Sequence, residues 1–136
     1  MQTFLPFPDF GLSLCCLDDA RLARQRIDAL AIYHILKENK TSQMHHPAVK
    51  MWKGYGRALG WYCNLSLSHL RYRNGGTHPS PDYINLGFPV IFPPWLGNHD
   101  FHRSHQSNLL RKDEVHYRLW FGTTVPKNLE YVWPVK

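Results

Sequence analysis

A chain of 136 residues has room for one domain with one hydrophobic core, and its 43% hydrophobic and 14% aromatic content excludes a charged, disordered tail. Sixteen Lys and Arg against ten Asp and Glu leave a formal charge of +6, which makes a polyanion the natural partner. Cys15, Cys16 and Cys63 offer neither an even count nor a CxxC spacing, the N-terminus lacks a basic signal region, and no apolar run reaches the ~18 residues of a membrane span, so a soluble cytoplasmic protein without a disulfide framework or zinc ribbon is expected.

Residues 1 to about 13 are expected to be extended, since Pro6 and Pro8 fix two backbone angles and disfavour helix in the residues before them. A first long helix is expected from Asp18 or Asp19, either of which can cap it, to about Glu38, where Asn39, Thr41 and Ser42 mark a loop. Leu22, Ala23, Ile27, Leu30, Tyr33 and His34 give this helix a broad apolar side, assigned to the core. A second helical segment opens at His46-Pro47 and carries Met51, Trp52, Tyr55, Ala58, Leu59, Tyr62, Leu65 and Leu70 at helical spacing to about Arg73, where Asn74-Gly75-Gly76 stops it. Gly54, Gly56 and Gly60 inside that segment read as close-approach positions between helices. Five prolines between Thr77 and Gly97 exclude a continuous helix there and leave an ordered loop containing aromatics. A third, shorter helix is expected over about Asp100 to Lys112, followed by aromatic-rich coil or short turns from His116 onward.

The first helix carries the most informative chemistry. In LDDARLARQRIDAL, the residues Arg21, Arg24, Gln25 and Asp28 fall at i, i+3, i+4 and i+7 and share a face. A carboxylate among arginines can move a proton while the guanidinium groups hold phosphates, as an enzyme acting on a nucleic-acid backbone requires; the same face also reads as a solvated surface with i,i+4 charge pairs. His99, His102 and His105 recur every three residues, unlike the i,i+4 pair of a zinc-binding helix, so no metal is assigned to them. Beside Arg103, Asn108, Arg111 and Lys112 they read either as donors to phosphates or as histidines satisfied within the fold. Neither GxGxxG, nor a Walker A loop, nor a GxSxG elbow is present.

The stretches MQTFLPFPDF, LDDARLARQRIDAL, HHPAVKMWKGY and PPWLGNHDFHRSHQSNLLRKDEVHY together resemble the pyrimidine dimer DNA glycosylases of the T4 endonuclease V type, in particular their bacterial and phage branch, and the likeness runs from Met1 to about Trp133. The resemblance implies a compact all-α single domain over residues 1–136, with three main helices and long Pro- and aromatic-rich coil, acting as a monomer without a cofactor on duplex DNA that contains a damaged or modified base. It further implies a glycosylase and abasic-site lyase: the α-amine of the first residue attacks the sugar C1′, the base leaves, and the resulting imine permits β-elimination of the 3′ phosphate. Carried over by position, the amine is that of Met1, kept in place by the large Gln2, and the carboxylate is Asp28, where the family carries a glutamate. The arginines that flank that glutamate in the family are not matched at Ile27 and Ala31.

Candidate DNA-binding side chains are Gln2, Arg21, Arg24, Arg26, His46, Lys50 and Lys53, then His102, Arg103, His105, Asn108, Arg111 and Lys112. An α-amine, with a pKa of ~7.7–8.0 against ~10.4 for lysine, offers a several-hundred-fold larger free-amine fraction near neutrality, which favours Met1 over Lys50 and Lys53 as nucleophile. Alternatives stay open at this level: a DNA-binding protein weakened in chemistry by the shorter Asp28, a glycosylase for another modified base, or a metal-dependent hydrolase built on the histidines and sensitive to chelators.

Overall fold

The computed structural model describes residues 1–135, and among them there are six α-helices and no strand. Helix α1 spans Phe10–Cys15, α2 Asp19–Glu38, α3 Pro47–Lys50, α4 Gly56–Arg73, α5 His99–Lys112 and α6 Glu114–Phe121. The three longest, α2, α4 and α5, are those expected from the sequence, and α2 packs chiefly on α4. Asp18 stands at the N-cap of α2 as expected, although its carboxylate turns to Arg21 (3.0 Å) and to the Tyr117 hydroxyl rather than to the helix amides.

Three expectations are corrected. The extended N-terminal run ends at residue 9, because the Asp9 carboxylate accepts from the Leu12 amide (2.7 Å) and starts α1. The segment after His46 is two helices: Gly54 takes φ +87°, a left-handed value that breaks the helix between α3 and α4. The C-terminal region expected as coil contains α6, started by Asp113, whose carboxylate accepts from the His116 amide (3.2 Å), and stopped at Gly122 with φ +78°. Val115 and Leu119 stand at helical spacing, a signal that the expectation of coil passed over, but in the fold they face solvent and only Tyr117 is buried. Of the three glycines read as close-approach sites, only Gly60 is one: a Cβ there would lie 2.5 Å from Leu86 Cδ2 and 3.3 Å from Tyr33 Cε2, whereas Gly54 and Gly56 have open space.

A fourth correction concerns which face of α2 is buried. Leu22, Ala29, Ile32 and Ile35 point inward together with Gln25, Arg26 and Asp28, while Ile27, assigned to the core from sequence, is 59% exposed. Arg26 is 1% exposed and spends its guanidinium on the Ser80 hydroxyl (2.8 Å) and the carbonyls of Cys63 (2.9 Å) and Pro81 (2.7 Å). A buried charge is tolerated when hydrogen bonds replace its water. Arg26 thereby ties α2 to α4 and to the proline-rich loop.

The core that α2 and α4 share is aromatic. Trp52, fully buried, meets Phe10, Tyr62 and Trp95 with ring centroids 5.1–6.2 Å apart, mostly edge to face. Through this core runs the N-terminal segment.

Candidate active site at the chain terminus

Residues 2–6 are held by side chains from three helices and the turn after α3. The Gln25 amide donates to Gln2 O (2.7 Å) while its oxygen accepts the Phe4 N–H (2.6 Å). Trp52 Nε1–H donates to Thr3 Oγ1 (2.9 Å), the Tyr62 hydroxyl to Phe4 O (2.7 Å), and Gln106 to Pro6 O (2.8 Å). Two histidines of α5 take Leu5: its N–H donates to His105 Nδ1 (2.9 Å), and its carbonyl accepts from His102 Nδ1–H (2.7 Å), the tautomer fixed by the Gly97 N–H donating to His102 Nε2 (2.8 Å). A segment bonded at nearly every residue has little freedom, so the terminus emerges in a defined place, with Met1 exposed at its end.

The candidate partners of that terminus are Asp28 of α2 and His46 before α3. Asp28 is nearly buried, and its carboxylate pairs with Arg24 (Nε–Oδ1 3.2 Å), whose own side chain is 70% exposed. His46 lies within electrostatic reach of both the Met1 amine and Asp28: partial burial, then the positive amine, lower its pKa, against the opposing pull of the carboxylate. As N-cap of α3 its Nδ1 accepts the Ala48 N–H (3.0 Å), which leaves the ring proton on Nε2 of the neutral form. The terminal amine and the Asp28 carboxylate of α2 thus both act electrostatically on one imidazole N–H donor at the start of α3.

The remaining sequence candidates separate into two groups. Arg24 and Lys53 are exposed and Lys50 half-buried, and Arg21 pairs with Asp18 at the start of α2. Arg103 reaches the Thr124 carbonyl (3.5 Å), and Lys112 is exposed at the end of α5. By contrast Arg26, His102, His105 and Asn108 are buried and engaged inside the protein, so they do not present donors to a ligand as the sequence reading expected, and Gln2 is buried with its oxygen accepting the Thr3 N–H and its Nε2 without a partner among the described residues. Arg111 is similarly occupied, by Asn108 and by the carbonyls of Lys127 and Leu129 (2.9 Å to the latter). His102 and His105 hold the N-terminal segment, whereas Arg26 holds α4 and the proline-rich loop and Asn108 the C-terminal segment. In α2, Gln25 and Arg26 sit at helical spacing with Leu22, Ala29 and Ile32, so a polar pair interrupts the core stripe and hydrophobic periodicity does not find it.

His105 makes this scaffold acid-sensitive. Burial, then neighbouring His102, drive its pKa from 6.5 down to about 3; its Nδ1 is occupied by the Leu5 amide, and its Nε2 has no partner among the described residues. The unfolded chain takes up a proton between pH 6.5 and 3 that the folded chain refuses, so stability is level above pH 6.5 and falls below it, by on the order of 4 kcal/mol at full extent. Urea melts at stepped pH are expected to show this loss. A His105→Gln variant, unable to charge, should be less stable at pH 7 and lose less between pH 6.5 and 4; a slope as steep as the parent's would disprove the assignment.

Cys16 and Cys63 are buried, and burial pushes both thiols up to about 12, which keeps them neutral and inert. No described helix is long and apolar enough to cross a membrane.

Fold and site define an all-helical protein that anchors its own N-terminal segment with side chains of α2, α4 and α5. The family model for pyrimidine dimer DNA glycosylases matches residues 1–82, and the chain belongs to that family. Comparison with curated proteins and with solved structures returned no match.

Proposed function

We propose that the chain, acting as one domain over residues 1–136, excises a damaged pyrimidine, a pyrimidine dimer above all, from duplex DNA and cuts the strand at the exposed site through an imine on the Met1 α-amine. The observation that carries this reading is the anchoring of residues 2–6 by Gln25, Trp52, Tyr62, His102, His105 and Gln106, which holds the terminal segment in place, with the amine and Asp28 both within electrostatic reach of His46. Because His102 and His105 come from α5, the terminus depends on residues beyond 1–82, which supports a single working unit.

The neutral amine attacks C1′ of the target sugar, and the base leaves with the electron pair of its glycosidic bond. Loss of the amine proton and opening of the sugar ring give the imine. Removal of a C2′ proton then expels the 3′ phosphate, and water releases the enzyme. Asp28, paired with Arg24, accepts and returns these protons. Neutral His46 leaves the amine without a second full cation beside it and offers its Nε2–H to a phosphate or the departing base. Arg24, Lys50 and Lys53 supply phosphate contacts.

Borohydride trapping on a duplex with an abasic site tests the reading. A covalent adduct is expected, mapped by peptide mass to the N-terminal fragment, and undiminished in excess EDTA. Absence of adduct on both abasic and dimer-containing duplexes would sink it, and loss of activity with EDTA would favour metal chemistry instead.

A further inference from the structure

The most exposed large apolar side chain of the described residues, Phe88 at 90%, stands at the tip of the proline-rich loop and has no part in the site described above. A lone exposed aromatic is ordinary. Phe88 differs in how firmly its backbone is held. On one side Asn64 of α4 exchanges two hydrogen bonds with Ile84 (2.8 and 3.0 Å), and Leu86 closes over Gly60. On the other, Gly87 lies flat against the Arg57 guanidinium, where a Cβ would come within 3.2–3.3 Å, and Arg57 Nη1–H donates to Pro89 O (3.3 Å). The ring therefore projects from a braced support, so little conformational freedom is lost when it is inserted elsewhere.

Beside this tip lies a cleft of about 550 Å³ between α2 and the start of α4, with Pro89 and Ile91 as one wall. Lys37, Lys53 and Arg57 line it, no acidic residue does, and none of the three cations has an ion-pair partner among the described residues. Met44 and Lys53, also in the lining, flank α3, whose cap His46 faces the terminal amine. Phe88 is the chain neighbour of Pro89 in the cleft wall.

We propose that Phe88 is a wedge that enters the base stack of a duplex seated across the Lys37, Lys53 and Arg57 cleft, and occupies the space left by a displaced nucleotide. Proteins that kink or open DNA use rigid apolar side chains in this way, backed by cations that hold the phosphates on either side. The inference rests on the DNA-glycosylase reading for its ligand, but Phe88 lies outside residues 1–82 matched by the family model.

The test uses the full-length protein and a duplex containing a tetrahydrofuran abasic analogue, which has no reactive C1′ and so reports binding without chemistry. The parent is expected to bind it more tightly than the fully paired duplex; Phe88→Ala should lose that preference by about ten- to a hundredfold, the range of one base–aromatic stack, and Phe88→Trp should keep it. Tyr72→Ala, an equally exposed aromatic (88%) about 22 Å along α4 from Arg57, should leave it unchanged. Retention of the preference by Phe88→Ala, its loss in Tyr72→Ala, or its absence in the parent would each overturn the wedge. Borohydride trapping on a natural abasic duplex judges the chemistry separately: adducts with an unaltered Phe88→Ala preference remove the wedge alone, and a Phe88-dependent preference without adducts removes the imine alone.

Discussion

Acetylating the Met1 amine, or adding two residues ahead of it, is expected to lower imine capture on abasic DNA by at least about two orders of magnitude, while leaving binding to undamaged duplex nearly unchanged. Acetylation removes the lone pair that must attack C1′. The lysines nearest in sequence to the site, Lys50 and Lys53, do not replace it: a lysine side chain in general offers a free-amine fraction several hundred times smaller than an α-amine near neutrality. An extension keeps a reactive amine but displaces it by several ångströms, and about 1 Å of misplacement already costs on the order of a hundredfold. The two modifications separate chemistry from position, since residues 2–6 keep their anchors in both. Single-turnover trapping measures the effect. Full activity of the acetylated protein would move the nucleophile to a lysine.

Asp28→Asn is the second large effect expected: a fall of about 10²–10⁴ in single-turnover strand cleavage, the usual contribution of a positioned proton-transfer group, with thermal stability changed little. Stability is spared because the ion pair lost in this variant joins Asp28 to an Arg24 that is 70% exposed, and such pairs contribute about 1 kcal/mol or less. Two outcomes would refute the role: cleavage that survives the substitution, or an equal fall in melting temperature and rate that reveals a folding defect. Asp28→Glu extends the carboxylate by one methylene. Cleavage that rises in this variant from an undetectable parental level would identify the parent as a DNA-binding protein short of one carbon.

The positions of α2, α4 and α5 were legible in the sequence because their punctuation is local: Asp18 and Asp19 before α2, Asn74-Gly75-Gly76 after α4, and five prolines that forbid helix between Thr77 and Gly97. The family was legible for a similar reason, since its motifs are contiguous strings, and the chemistry expected of Met1 and Asp28 followed from that resemblance. The inward face of α2 was not. Hydrophobic periodicity assumes that buried positions are apolar, and here Gln25 and Arg26 are buried to hold backbone groups of other segments.

Which basic and polar residues stay outside is likewise a tertiary matter. Counted in sequence, His102, His105 and Asn108 look no different from Lys50 and Lys53 as partners for phosphate. In the fold, the first two bind the backbone of Leu5, nearly a hundred residues away along the chain, and Asn108 closes on the C-terminal segment at Leu129. A hydrogen bond over that separation has no local signature, because its partner is chosen by how α5 docks on the N-terminal segment. The amino-acid order by itself determined the three longest helices, the charge and the family; the tertiary structure alone decided that polar side chains are buried to hold a chain end in place, since desolvating them is favourable only where the folded chain brings a backbone partner to each.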